Sequence, residues 1–255
     1  METTTIKPEQ QPKNPGQAKP LGLISKHLGL EIENPPKPVP LNIRNRLKYR
    51  KQIKEHEDTH GINGAYLETE NVYLFKQGDK NSGSALHTEV HELMHAALDR
   101  ANPDYYRSVY DAGRLAVNQT REQGGDLSDT LDALKGVGEG IRVRQAFSEG
   151  LSEWGAVEVE ARETGITDRK ELFEVHAGHI DKQAEKVATT GDIRMVPYVS
   201  GHAFVTGAIS YMTGLGMENG EALKVLLTDP PTREVQMKMG GQKYVAEFLM
   251  HEKTK

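Results

Sequence analysis

Cysteine is absent from the 255 residues, which excludes disulfides and thiolate ligands. Any metal ion must therefore be held by histidine and carboxylate. The missing covalent staples are no handicap, because a chain of this length buries an adequate core as one large domain or two small ones. Long apolar runs are missing as well. The start, Met1-Glu2-Thr3-Thr4-Thr5-Ile6-Lys7-Pro8, has no apolar stretch behind a basic end, and nothing later approaches the roughly 20 residues of a membrane span. These absences point to a soluble protein, cytoplasmic or exported without a cleaved signal peptide, with no transmembrane segment and no membrane partner. Strong charge of one sign is lacking too: a net charge of −5 argues against a general nucleic-acid binder.

Proline is scarce except at one end. Eight of the twelve prolines fall in the first forty residues among Gln, Lys and Asn, so residues 1–40 read as a proline-rich, largely disordered arm that propagates neither helix nor sheet. Within that arm Leu21 to Ile32 has apolar character suited to docking on the body, and Pro35-Pro36-Lys37-Pro38-Val39-Pro40 should run extended. The folded body spans 41–255. Its basic run from Arg44 to Lys54, six cations in eleven residues, reads as a solvated helix face, with contact to an acidic partner or nucleic acid as the other reading. Tyr66 to Phe75, rich in aromatic and β-branched residues, reads as a hairpin or two short strands. From Tyr105 onward the pattern is helical over 104–120, 129–136, 141–161, 168–190, 198–215, 219–227 and 242–252, with a break from Gly136 to Gly140 among others. The fold class is α+β: a small β-sheet region, then a mainly helical C-terminal part.

The chemistry is concentrated in His91-Glu92-Leu93-Met94-His95. On a helix, residues four apart lie one turn above each other, so both imidazoles can reach one ion while Glu92 flanks the same side. A second copy of the pattern, His56-Glu57-Asp58-Thr59-His60, lies upstream. Context separates the two. Leu86, Val90, Leu93, Met94 and Ala97 give the later copy a buried stripe, Ser82 or Ser84 can cap its helix, and Asp99 to Pro103 can end it. The earlier copy follows the basic run, and nothing there reads as packing against a core.

Two histidines make half a site, since a catalytic zinc generally takes three protein ligands. The third is sought in Phe147-Ser148-Glu149-Gly150-Leu151-Ser152-Glu153-Trp154. Phe147, Leu151 and Trp154 form one apolar stripe, which leaves Glu149 and Glu153 together on another face. Glu149 can bind the ion, and Glu153 can accept the free ring N–H of a ligating histidine and fix its tautomer. An exposed carboxylate pair is the competing account of that face.

These two segments together resemble the gluzincins, the zinc metallopeptidases whose third ligand is a glutamate on a later helix, and the peptidase-MA-like members most of all. The likeness extends to Tyr198-Val199-Ser200-Gly201-His202-Ala203-Phe204-Val205 and to Asp229-Pro230-Pro231-Thr232-Arg233-Glu234, covering residues 62–255 thinly. It departs in two places. The 54-residue separation between His95 and Glu149 exceeds that of thermolysin-like members, and Met239 to Tyr244 lacks a histidine-proline often found there. The resemblance implies a zincin-like fold, a Zn2+ cofactor on His91, His95 and Glu149, and hydrolysis of a peptide or protein substrate, endopeptidase in type, with Glu92 as general base. An oxyanion donor beyond the metal is then needed. Tyr198 and His202, one turn apart, are the residues available, Tyr198 being favoured by the likeness and a packed aromatic being its plainer account. His87, one turn before His91 on the metal face, can line the cleft or bind metal adventitiously. His176 and His179 read as surface histidines. Two rival functions remain open: a zincin-fold binding or regulatory protein without turnover, and a non-enzymatic interaction protein in which the motif is coincidental.

Overall fold

The computed structural model describes residues 15–56, 64–75, 85–124 and 126–249. Its first element is a helix, α1 (Pro15–Leu28), in a stretch whose prolines argue against one. Pro15 occupies the first helical position, where a missing N–H costs nothing, but Pro20 lies inside and costs about 3 kcal/mol. Burial outweighs it. Leu23, Ile24, Leu28 and the following Leu30 all enter the main core, at about 1.5–3 kcal/mol each. The domain boundary expected at residue 40 is therefore corrected: the described residues before it belong to the body, and residues 1–14 lie outside the description.

The proline run is also part of the fold. β1 (Lys37–Pro40) pairs in parallel with β3 (Val72–Phe75), which pairs antiparallel with β2 (Gly64–Leu67), giving the order β1-β3-β2. The N–H groups of Lys37 and Leu41 point at β3, bonding Asn71 O at 2.9 Å and Phe75 O at 2.7 Å. Alternation then turns positions 38 and 40 outward, where a proline forfeits no ladder bond. Asn71, at φ 49°, makes the turn between β2 and β3 in the left-handed region that Asn tolerates.

The basic run forms two short helices, α2 (Ile43–Lys48) and α3 (Arg50–His56). Ile43 and Leu47 are exposed, but Tyr49 and Ile53 pack under the sheet with Ala65, Leu67, Val72 and Leu74. The expectation that nothing there meets a core is thus overturned for those two residues. Of the upstream histidine-glutamate copy only His56 is described; residues 57–60 lie outside, as do Ser82 and Ser84.

Helices make up the rest: α4 (Ala85–Ala101), α5 (Arg107–Glu122), α6 (Leu127–Glu163), α7 (Arg169–Thr190), α8 (Val196–Gly214), α9 (Asn219–Thr228), α10 (Glu234–Lys238) and α11 (Gly241–Tyr244), then a π-helical turn Val245–Leu249. The break expected from Gly136 to Gly140 does not occur. α6 starts on a reciprocal Asp126–Asp129 capping box and runs unbroken for 37 residues. Packing explains part of this: a methyl on Gly140 would meet Val109 Cγ2 at 2.7 Å, and one on Gly113 would meet Val137 Cγ1 at 3.0 Å. Two glycine–valine pairs thus let α5 lie close along α6, and that contact offsets the cost of helical glycine.

At its centre α6 is held between α4 and α8. There the backbones touch: a Cβ on Gly150 would fall 2.0 Å from the Gly201 carbonyl carbon, and one on Gly201 would fall 1.7 Å from Ala146 O. No larger residue fits at either position. Phe147, Leu151 and Trp154 from α6, Phe204, Val205 and Ile209 from α8, and Leu93, Met94 and Leu98 from α4 fill the core around this crossing. The architecture is α+β in the coarse sense, with all three strands preceding α4. Among the described residues no helix is long and apolar enough to cross a membrane.

Candidate metal centre

α4 presents His87, His91 and His95 at i, i+4 and i+8, one stripe beside the apolar stripe of Val90, Leu93, Met94 and Ala97 that the core holds. α6 presents Glu149, Glu153 and Glu160 at i, i+4 and i+11, also on one face. The two helices run antiparallel here, so the rungs meet in reverse order: His95 and His91 at Glu149, His91 and His87 at Glu153, His87 at Glu160. Two of these meetings bring donor atoms close enough to hold a metal ion, His91-His95-Glu149 and His87-His91-Glu153.

The first group converges on a point. His91 Nε2 lies 3.2 Å from His95 Nε2 and 3.2 Å from Glu149 Oε2, and His95 Nε2 lies 3.5 Å from the same oxygen. Donors bonded tetrahedrally to one zinc at about 2.0 Å are about 3.3 Å apart, so the triangle has the size that an ion requires. The outer nitrogens are engaged as well. His95 Nδ1 is 2.8 Å from Ser148 Oγ and His91 Nδ1 is 3.2 Å from Glu153 Oε2. Such partners fix the ring orientation and tautomer of a ligating histidine.

Electrostatics follow the same geometry. Burial alone would raise the Glu149 carboxyl, but the His95 charge and hydrogen bonds from His91 and His95 outweigh it and hold the group well below the ordinary carboxylate range. Glu153 is likewise burdened by burial and is driven far down by hydrogen bonds from His179, His87 and His91. Conversely His91, whose burial favours the neutral ring, is pushed up to about 10 by its hydrogen bonds to Glu149 and Glu153. Two carboxylates held ionised beside a proton-binding His91 make a centre in which a cation can take the place of the proton.

Glu92 sits beside this triangle under the sheet. It is 6% exposed, and burial raises its carboxyl above the ordinary range. The Tyr66 backbone N–H bonds to it, and a methyl on Gly64 would come within 2.6 Å of its Oε1, so β2 approaches this carboxylate at a position only glycine permits. Tyr198 closes the other side. Its ring stacks on His91 at 6.1 Å between centroids, and burial together with the nearby Glu149 charge raises its hydroxyl well above the usual phenol range.

Comparison with protein-family models, curated proteins and solved structures finds no match. The site therefore has to be judged on its own geometry. The 54-residue separation of His95 and Glu149 is accounted for within the chain: α5 and the first half of α6 form a helical hairpin that leads away from the centre and back.

His202 does not join the triangle. It is fully buried on α8, one turn beyond Tyr198, with Nε2 2.9 Å from His176 Nδ1, and burial with the adjacent His176 lowers it to about 3. The reading of His176 and His179 as surface residues is corrected. His176 is 3% exposed, stacks on Trp154 and reaches Glu158 Oε2 at 2.9 Å; His179 Nε2 is 2.6 Å from Glu153 Oε1. A signal for them was present. Leu172, His176, His179 and Gln183 follow i, i+4, i+7 and i+11, the spacing of an inward face, on a helix with few apolar residues to form one. Ser148, Glu158 and Glu160 were also missed. A cavity of about 590 Å3 lined by Trp154, Glu158, Arg162, His176 and Thr206 lies elsewhere than the triangle, and none of His91, His95 or Glu149 lines it.

Proposed function

We propose that the chain is a zinc-dependent metallopeptidase of gluzincin type, acting as an endopeptidase with a zincin-like arrangement of its catalytic helices. The observation that carries this reading is the meeting of His91 Nε2, His95 Nε2 and Glu149 Oε2 at 3.2–3.5 Å, with Glu92 beside them. Two imidazoles and one carboxylate, with no cysteine in the chain, form a three-ligand set that leaves a fourth position open. Zinc held there supplies Lewis acidity, polarising an acyl oxygen and acidifying water.

The chain's own residues do the rest. Glu92, with a carboxyl raised by burial, receives the proton of the attacking water and passes it to the leaving amine nitrogen. Tyr198 keeps its proton at neutral pH, because its hydroxyl is raised, and donates a hydrogen bond to the developing oxyanion. His202 does not serve as the donor, since it is buried on α8 against His176 and His179, outside the triangle. The edge of β2 beside Glu92 suits an extended peptide that adds to the sheet through main-chain hydrogen bonds.

The test is Glu92→Gln in the full chain, read by zinc analysis and by hydrolysis of an unstructured protein substrate. Zinc at the wild-type level with hydrolysis lower by about 10²–10⁴-fold is the expected result. Equal hydrolysis in the variant refutes the mechanism. Zinc retention in a wild-type chain that hydrolyses nothing favours instead a binding protein without turnover.

A further inference from the structure

We infer that His87, Glu153 and the Nδ1 atom of His91 form a second divalent-cation site, joined to the proposed zinc site through the His91 ring. The inference rests on the reading of His91 as a ligand through Nε2, but uses the other nitrogen. His87 Nε2 is 3.3 Å from Glu153 Oε2, and His91 Nδ1 is 3.2 Å from the same oxygen. These separations match those of the first triangle and the spacing of about 3.3 Å between tetrahedral zinc ligands. Two donors thus meet one carboxylate oxygen, all three lie within 4.8 Å of one another, and the group sits one turn away from the first on both helices.

The outer atoms make this a built site. His87 turns its far nitrogen, Nδ1, to Glu160 Oε2 at 3.0 Å, the carboxylate–histidine arrangement that orients a ligating ring. The far oxygen of Glu153, Oε1, is held by His179 Nε2 at 2.6 Å and Gln183 Nε2 at 2.8 Å, which aims Oε2 at the two histidines. Access is open, since the His87 and Glu160 side chains are 21% and 34% exposed. A zinc-class ion with nitrogen and oxygen ligands fits the donor set. With both sites filled, His91 bridges the ions as an imidazolate, its Nδ1 proton having passed to solvent.

Metal-free full-length chain is dialysed against zinc chloride, and bound zinc is counted alongside a folding check by circular dichroism. Wild type should bind two ions and His87→Ala one. In Glu160→Gln, a milder change at a partly exposed residue, the second ion alone should bind about 10–100-fold more weakly. His95→Ala should keep the second ion and lose the first. One ion in wild type, unchanged by His87→Ala and lost in His95→Ala, overturns the second site while leaving the mononuclear reading standing. One ion kept in His95→Ala and lost in His87→Ala supports the second site and overturns the proposed function.

Discussion

α6 supplies the glutamates of several buried histidine–glutamate clusters, and those of Glu149 and Glu158 differ in more than one respect, first in how their donors are aimed. At Glu149, two imidazole nitrogens aim at a single oxygen and at each other, so the donors converge. At Glu158, the partners form a chain: Oε2 takes His176 Nε2, whose Nδ1 meets His202, while Oε1 takes Arg162 Nε at 2.7 Å and Asn219 Nδ2 at 2.9 Å. A guanidinium already balances that carboxylate. Residue types therefore do not distinguish a metal centre from a structural polar network. The distinction lies in whether lone pairs converge on a common point or are consumed one by one.

The comparison can be broken by exchanging the consequences of mutation. Glu149→Ala should lower zinc affinity by about 10³-fold or more, because one of three ligands is lost, while the metal-free chain stays folded; competition with a chromophoric chelator measures this. Glu158→Gln should do the reverse. It leaves Arg162 and His176 without their counter-charge at a site 2% exposed, so urea unfolding of the metal-free chain should show a loss of about 3 kcal/mol with zinc stoichiometry unchanged. If Glu158→Gln removes zinc and Glu149→Ala does not, the two clusters have been assigned the wrong way round.

A third difference appears in acid. His202 is lowered to about 3 in the folded chain, by burial first and then by His176. The unfolded chain binds that proton near pH 6.5, so this stabilising contribution is complete above 6.5 and is lost as pH falls towards 3, by about 1.4 kcal/mol per unit. Thermal unfolding of the metal-free chain between pH 7 and 4 should therefore be less steep in His202→Gln than in wild type; parallel curves would refute the attribution. The smallest effect expected is from Tyr198→Phe, about tenfold in kcat with zinc content unchanged, since it removes one donor from a site whose metal ligands stay intact. Hydrolysis at the wild-type rate would return Tyr198 to a packing role.

What could be read in the sequence was whatever rests on periodicity and local composition. The stripes of α4 and of central α6 follow from positions three or four apart, the strands before α4 from aromatic and β-branched residues, and Glu149 from the apolar stripe opposite it together with the gluzincin resemblance. Position relative to another element was not legible. α1 forms against its prolines because Leu23, Ile24 and Leu28 find a core made by residues of α4, α6 and α9, far along the chain. Gly140 continues a helix because Val109 needs its space. His176 and His179 seemed exposed because polar side chains on a charged helix give no apolar moment, although they are the inward face. Gly201, the partner of Gly150 where α6 and α8 cross, lets α8 come close enough to bring Tyr198 to the triangle.

The prolines of β1 have a consequence for how the sheet meets other chains. With Lys37 and Leu41 donating inward and positions 38 and 40 without an N–H, the outer rim of β1 offers acceptors but no donors, and Pro40 O is already taken by Asn42 N and Asn45 Nδ2. A visiting strand finds no ladder there. Among the described residues the rim of β1 is thus blunt. On the proposed function, an extended substrate would meet the sheet on the β2 side, where the Tyr66 N–H already holds Glu92.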